Sequence, residues 1–193
     1  MPKKQLVTIF FWLFVLIPVE APADEAKVEI ENRYLVFAGA GFSKDGWGNT
    51  HQQVETLDLV FRQDRPQQRT RGKGRWINRK SVFIEVPLSW IYSPDRAAFV
   101  GFTMNVAWQF LYHSGRQPYL FVGGGPGYTR AEIPGTSSHI KGTYQLGVGI
   151  EFKPQAPSRS LFMELRYHHM SNGGLKEPND SVNSMKLLVG TRF

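Results

Sequence analysis

The chain has 193 residues, a formal net charge of +7 and no cysteine. The absence of cysteine excludes a disulfide framework, Cys-based metal sites and thiol chemistry, and the length suits one domain. The basic balance suits phosphate-bearing lipids.

Met1-Pro2-Lys3-Lys4 opens the chain, an apolar run from Leu6 to Val19 follows, and Ala21-Pro22-Ala23 supplies small residues at an A-x-A site. Positive start, apolar middle and small-residue exit make a secretory signal peptide. The run is shorter than the ~20 residues of a spanning helix, and Pro18 interrupts it. The expected organisation is a signal peptide over 1–23 and a single domain over 24–193. Export makes a nucleic-acid partner a poor fit.

After residue 27 the sequence alternates with a period of two between clusters of Gly, Pro, Asn and Asp. The alternation predicts eight strands, near 30–42, 52–62, 79–92, 97–112, 117–130, 139–153, 159–171 and 183–193. Several reach ten residues or more, the length of a tilted membrane-spanning strand. In the third, Val82, Ile84, Val86, Leu88, Trp90 and Tyr92 oppose Glu85 and Ser89. In the fourth, Val100, Phe102, Met104, Val106, Trp108, Phe110 and Tyr112 oppose Thr103, Asn105 and Gln109. In the sixth, Ile140, Tyr144, Leu146, Val148, Ile150 and Phe152 oppose Lys141, Thr143, Gln145 and Glu151. The last sets Met185, Leu187, Val189, Thr191 and Phe193 against Ser184, Lys186 and Arg192.

A soluble sandwich and a small membrane barrel share this alternation, with opposite faces turned to water. Export, strand length and the terminal Phe193 favour the barrel, and that ending resembles the assembly signal of bacterial outer-membrane barrels. The expected fold is therefore all-β, an eight-stranded antiparallel transmembrane barrel of the outer-membrane type, with Trp90, Tyr92, Phe110 and Tyr112 in the interfacial girdles. Both termini then lie in the periplasm, and the seventh strand ends at the cell surface near Ser171. The basic stretch 62–80 reads as a solvated periplasmic turn near lipid headgroups. Gly123-Gly124-Gly125-Pro126-Gly127 precedes no helix pattern, so it reads as close backbone approach rather than a phosphate loop.

The seventh strand carries the chemistry. Leu161, Met163, Leu165, Tyr167, His169 and Ser171 share the lipid-facing side; Phe162, Glu164, Arg166, His168 and Met170 face the lumen. Residues i and i+2 lie roughly 6–7 Å apart at Cα, so imidazole and hydroxyl can meet as base and nucleophile, the pairing that acyl transfer requires. His168 reads instead as a hydrogen-bonded lumen residue, with Glu85, Glu151, Glu164, Arg166, Lys186 and Arg192 in a compensating charge network. His51, His113 and His139 are scattered and show no metal-ligand spacing.

The run His169-x-Ser171-Asn172-x-Gly174-Leu175, followed by Pro178-Asn179 and a short spacer into an aromatic-ended strand, resembles the outer-membrane lipid A 3-O-deacylase (PagL) family. Phe83 to Leu88 looks more loosely like that family's third strand. The resemblance implies a cofactor-free serine esterase acting on lipid A, the lipid part of lipopolysaccharide, from the outside of the barrel. Ser171 would be the nucleophile and His169 the base, and Asn172 and Gly174 match positions that help form the oxyanion hole. The family places a catalytic Glu where this chain has Asn183. An Asn can orient a histidine tautomer but adds no charge to stabilise imidazolium. The arrangement is then a Ser171-His169-Asn183 triad, an acid displaced to Asp180 or Glu177, or an inactive barrel with a structural or interaction role. A small porin fits less well, because eight strands leave a lumen that side chains fill. Oligomeric state stays open, a homodimer included.

Overall fold

The computed structural model describes residues 32–47, 53–69, 77–110, 114–133, 135–152 and 160–193. The expected signal peptide, His51, Tyr112 and His113 lie outside the described residues. The strands are β1 (Arg33–Phe42), β2 (Glu55–Arg69), β3 (Ile77–Ser93), β4 (Ala97–Gly101), β5 (Thr103–Phe110), β6 (Arg116–Thr129), β7 (Ile140–Phe152), β8 (Leu161–Ser171) and β9 (Val182–Arg192). Neighbours pair antiparallel, and β1 pairs with both β2 and β9, which closes the sheet into a barrel.

The barrel has eight staves, because β4 and β5 are two parts of one. The break at Phe102 lies across from Val86 and Pro87: β3 pairs with β4 at Leu88↔Val100 and with β5 at Glu85↔Thr103. Pro87 has no N–H to give the ladder, and its ring lies 3.1 Å from where a Cβ on Gly101 would stand. Phe102 N donates instead to Pro126 O on the other side, at 3.0 Å.

The apolar face points outward. Val86, Leu88, Trp90, Tyr92, Val100, Phe102, Met104, Tyr144, Leu146, Val148, Leu187 and Val189 are all exposed. That is a lipid-facing belt, far beyond the isolated apolar patches of a soluble surface. Aromatics mark both rims. Tyr34 and Phe193 sit 6.4 Å apart at the rim where β1 starts and β9 ends, and Phe42 and Trp47 sit 5.5 Å apart at the opposite one.

Side chains fill the lumen. Phe37, Phe83 and Phe121 are fully buried in a cluster with Leu35, Val60, Tyr119, Phe162 and Leu188. Two guanidiniums thread it: Arg62 lies 4.4 Å from the Phe37 ring centroid and 4.0 Å from that of Phe83, and Arg166 lies 5.2 Å from that of Phe121. Glu85 and Glu164 neutralise them. Arg62 reaches Glu85 at 2.8 Å and Glu164 at 2.6 Å, Arg166 reaches Glu85 at 2.9 Å and also pairs with Glu164, and Tyr119 donates to Glu164 at 2.5 Å. A second cluster of Val54, Ile91, Phe99, Ala131, Ile133, Met170 and Val182 fills the lumen toward the rim opposite the start of β1 and the end of β9.

Three sequence expectations change. The stretch 62–80 is not one long turn: β2 runs to Arg69 and β3 starts at Ile77. Alternation continues through Arg62 and Asp64, which point into the lumen, so charge that read as solvated belongs to the barrel's core. The charge network also divides. Lys186 pairs with Asp58 at 2.5 Å, and Glu151 meets Arg33 at 3.5 Å, apart from the Arg62–Glu85–Arg166–Glu164 group. His168 does face inward, but its ring meets the edge of Phe99 at 6.3 Å rather than joining that group.

The glycine reading holds. A Cβ on Gly123 would overlap Met104 O, and one on Gly125 would overlap Phe102 O. Gly147, Gly149 and Gly190 leave space for the rings of Phe121, Tyr119 and Phe37.

Candidate active site

The hairpin register of β7, β8 and β9 assembles the site on the outer face. His169 is paired with Tyr144 on one side and with Asn183 on the other. Paired residues on one face of an antiparallel sheet have Cβ atoms roughly 5 Å apart, so both neighbours can hold the imidazole. Nδ1 donates to Asn183 Oδ1 at 2.7 Å. The Tyr144 ring stacks on the imidazole, with centroids 4.2 Å apart and planes 16° from parallel. An amide oxygen can only accept, so Nδ1 carries the proton and Nε2 presents its lone pair. This is the tautomer a general base needs. Asn183, not Asp180 or Glu177, bonds Nδ1. Glu177 is exposed, and the Asp180 side chain lies against Gly135.

Ser171 ends β8 on the same face as His169. Gly173 and Gly174 follow with φ of +66° and +78°, backbone conformations that glycine adopts without a Cβ penalty. They turn the chain back over the strand end. Gly173 N donates to Ser171 Oγ at 3.4 Å, and Gly174 N donates to Asn172 Oδ1 at 2.9 Å.

Asn172 is 1% exposed and braces this turn. Its side-chain amide donates to Lys176 O at 2.5 Å, to Pro178 O at 3.3 Å and to Ser137 Oγ at 3.3 Å. Its backbone N–H donates to Asn179 Oδ1 at 2.8 Å. Asn172 and Gly174 are therefore bonded to each other within the loop rather than opening toward Ser171.

The loop between β6 and β7 clamps the same segment. Ser137 Oγ donates to Pro178 O at 2.9 Å, Asp180 N donates to Gly135 O at 2.7 Å, and Thr136 bridges to Asn179. On the other side, Asn183 N donates to Trp47 O at 3.3 Å, tying the β1–β2 loop to the site.

Tyr144, Asn179, Ser137 and Trp47 were not legible as site residues. Alternation puts Tyr144 on the outer face, but only the β7–β8 register sets it against His169. Among the described residues no group of His, Cys, Asp and Glu could hold a metal ion, and His139 Nδ1 lies 3.1 Å from Thr129 O.

Residues 65–192 match the family described as lipid A 3-O-deacylase (PagL). The chain belongs to the lipid A 3-O-deacylase (PagL) family. It is a bacterial outer-membrane β-barrel. Among solved structures it is similar to the outer membrane enzyme PagL, with a TM-score of 0.56 and 16% identity over 83% of this chain and 98% of that one. It is also similar to Neisserial surface protein A, with a TM-score of 0.60 and 13% identity over 83% of this chain and 95% of that one. Identities this low carry the fold alone. No curated protein sequence matches the chain.

Proposed function

We propose that the protein is a serine-type esterase that removes the 3-O acyl chain from lipid A in the outer leaflet. The observation that carries this reading is the imidazole of His169. It sits on the lipid-facing side, with Nδ1 held by Asn183, two residues from Ser171. Nε2 takes the Ser171 proton as Oγ attacks the ester carbonyl, then returns it to the departing 3-O oxygen. Water enters by the same base and frees the fatty acid from Ser171. Asn172 and Gly174 lie in the turn after Ser171, and an N–H of that turn redirected from its loop acceptor to the substrate carbonyl oxygen would be the oxyanion donor. One such donor is worth about 3 kcal/mol of transition-state stabilisation. His169, Ser171 and Asn183 are the catalytic set, without a cofactor, and the substrate is lipopolysaccharide.

The test is mass spectrometry of lipid A from cells with and without the protein. Loss of one hydroxyacyl mass is expected. An unchanged profile with properly assembled protein would establish the alternative, a barrel of this family with a structural or interaction role.

A further inference from the structure

We infer that Tyr144 is a positioning residue for this site: its ring fixes the His169 imidazole from one face and stabilises the cation that forms there. The inference rests on the esterase reading of His169. A neutral imidazole becomes a cation when it takes the serine proton. Asn183 holds the tautomer but is neutral, so it offers that charge no counter-ion. The outward faces of β7, β8 and β9 carry no Asp, Glu, Lys or Arg: they read Ile140 to Phe152, Leu161 to Ser171 and Asn183 to Phe193 on alternate positions. The titratable groups facing His169 from these strands are Tyr144 and Tyr167. Lys176, Glu177 and Asp180 belong to the loop above, and Lys44 and Asp45 to the loop that carries Trp47.

The stack supplies what the charges do not. An aromatic face is electronegative, and a cation within ~6 Å of its centroid is attracted, more strongly where water is excluded. The Tyr144 and His169 centroids are 4.2 Å apart with planes 16° from parallel. Contact with Tyr167, at 6.2 Å between centroids, supports the Tyr144 ring from the next outward position on β8. Tyr144 is 50% exposed on the lipid face, so an apolar replacement keeps the belt intact.

The test compares wild type, Tyr144→Phe and Tyr144→Leu as folded barrels in detergent. One readout is the titration of the His169 imidazole by NMR. The other is release of hydroxy fatty acid, resolved into kcat and KM. Tyr144→Leu should move the His169 titration to lower pH than in wild type. It should cut kcat about threefold to tenfold, with KM little changed. Tyr144→Phe, which keeps the ring, should match wild type in both. A His169 titration in Tyr144→Leu that superimposes on wild type would overturn the inference. So would a Tyr144→Phe as impaired as Tyr144→Leu, which would assign the effect to the hydroxyl. If wild type releases no fatty acid, the esterase reading falls, and the titration by itself decides whether the ring stabilises the cation.

Discussion

Strand β8 carries two polar sets on opposite faces, and they are built on opposite rules. Inward, Glu164 and Arg166 are 1% and 2% exposed and form a square with Glu85 and Arg62, each charge meeting two of opposite sign. Outward, His169 and Ser171 sit at the strand end among neutral partners, Asn183, Tyr144 and the glycine turn. A compensated charge square in a low-dielectric interior resists any change of protonation, because one missing partner leaves an unpaired ion. A base with neutral neighbours can gain and lose a proton. The same strand thus holds the barrel together with one face and presents the proposed catalytic pair with the other.

The largest expected effects separate these faces. Ser171→Ala and His169→Ala should each abolish hydrolysis, with folded yield unchanged in heat-modifiable gel mobility. Glu85→Ala should do the reverse, leaving Arg62 and Arg166 short of a partner. We expect a loss of ~3–5 kcal/mol in a urea unfolding series, with the remaining folded fraction as active as wild type.

Asn183 comes next. Asn183→Ala frees Nδ1 and should reduce turnover by about an order of magnitude or more, again without a shift in unfolding midpoint. Asn183→Glu should hold or raise turnover, because a carboxylate stabilises imidazolium. The sign of the pH effect follows. The base works when neutral, so kcat/KM should fall as pH drops through the imidazole titration. A carboxylate partner raises that titration and should move the acid limb to higher pH in Asn183→Glu. The smallest effect is expected at His168, whose inward ring touches Phe99. His168→Ala should leave turnover within twofold of wild type and cost about 1 kcal/mol of stability. Loss of turnover in His168→Ala with retention in His169→Ala would mean that the register of β8 is off by one.

The barrel was legible because a period of two survives every change of composition along these strands. From Val82 to Tyr92 and from Ile140 to Phe152 each alternate residue faces out. What failed was the reading of charge. Arg62 begins a basic run and looked like a turn residue, yet it is among the most buried cations of the lumen. Alternation gives a side chain's face, but a lumen packed with ion pairs and a solvated loop look alike in composition. The shared outward placement of His169 and Ser171 was legible for the same reason as the barrel, since both share parity with the apolar residues of β8. Tyr144 and the brace at Asn172 were not, because they depend on which residues lie opposite one another across strands and loops. The split between β4 and β5 was also hidden, although its cause, Pro87, stands in the sequence one stave away.

The most direct test brings both faces into one assay. Purified folded barrels of wild type, Ser171→Ala and Glu85→Ala would be given purified lipopolysaccharide at matched folded amounts, with lipid A mass and free hydroxy fatty acid followed together. Loss of one hydroxyacyl group and equimolar fatty acid are expected with wild type and with the folded fraction of Glu85→Ala, and neither with Ser171→Ala. Equal release by wild type and Ser171→Ala, or none by either, would contradict it.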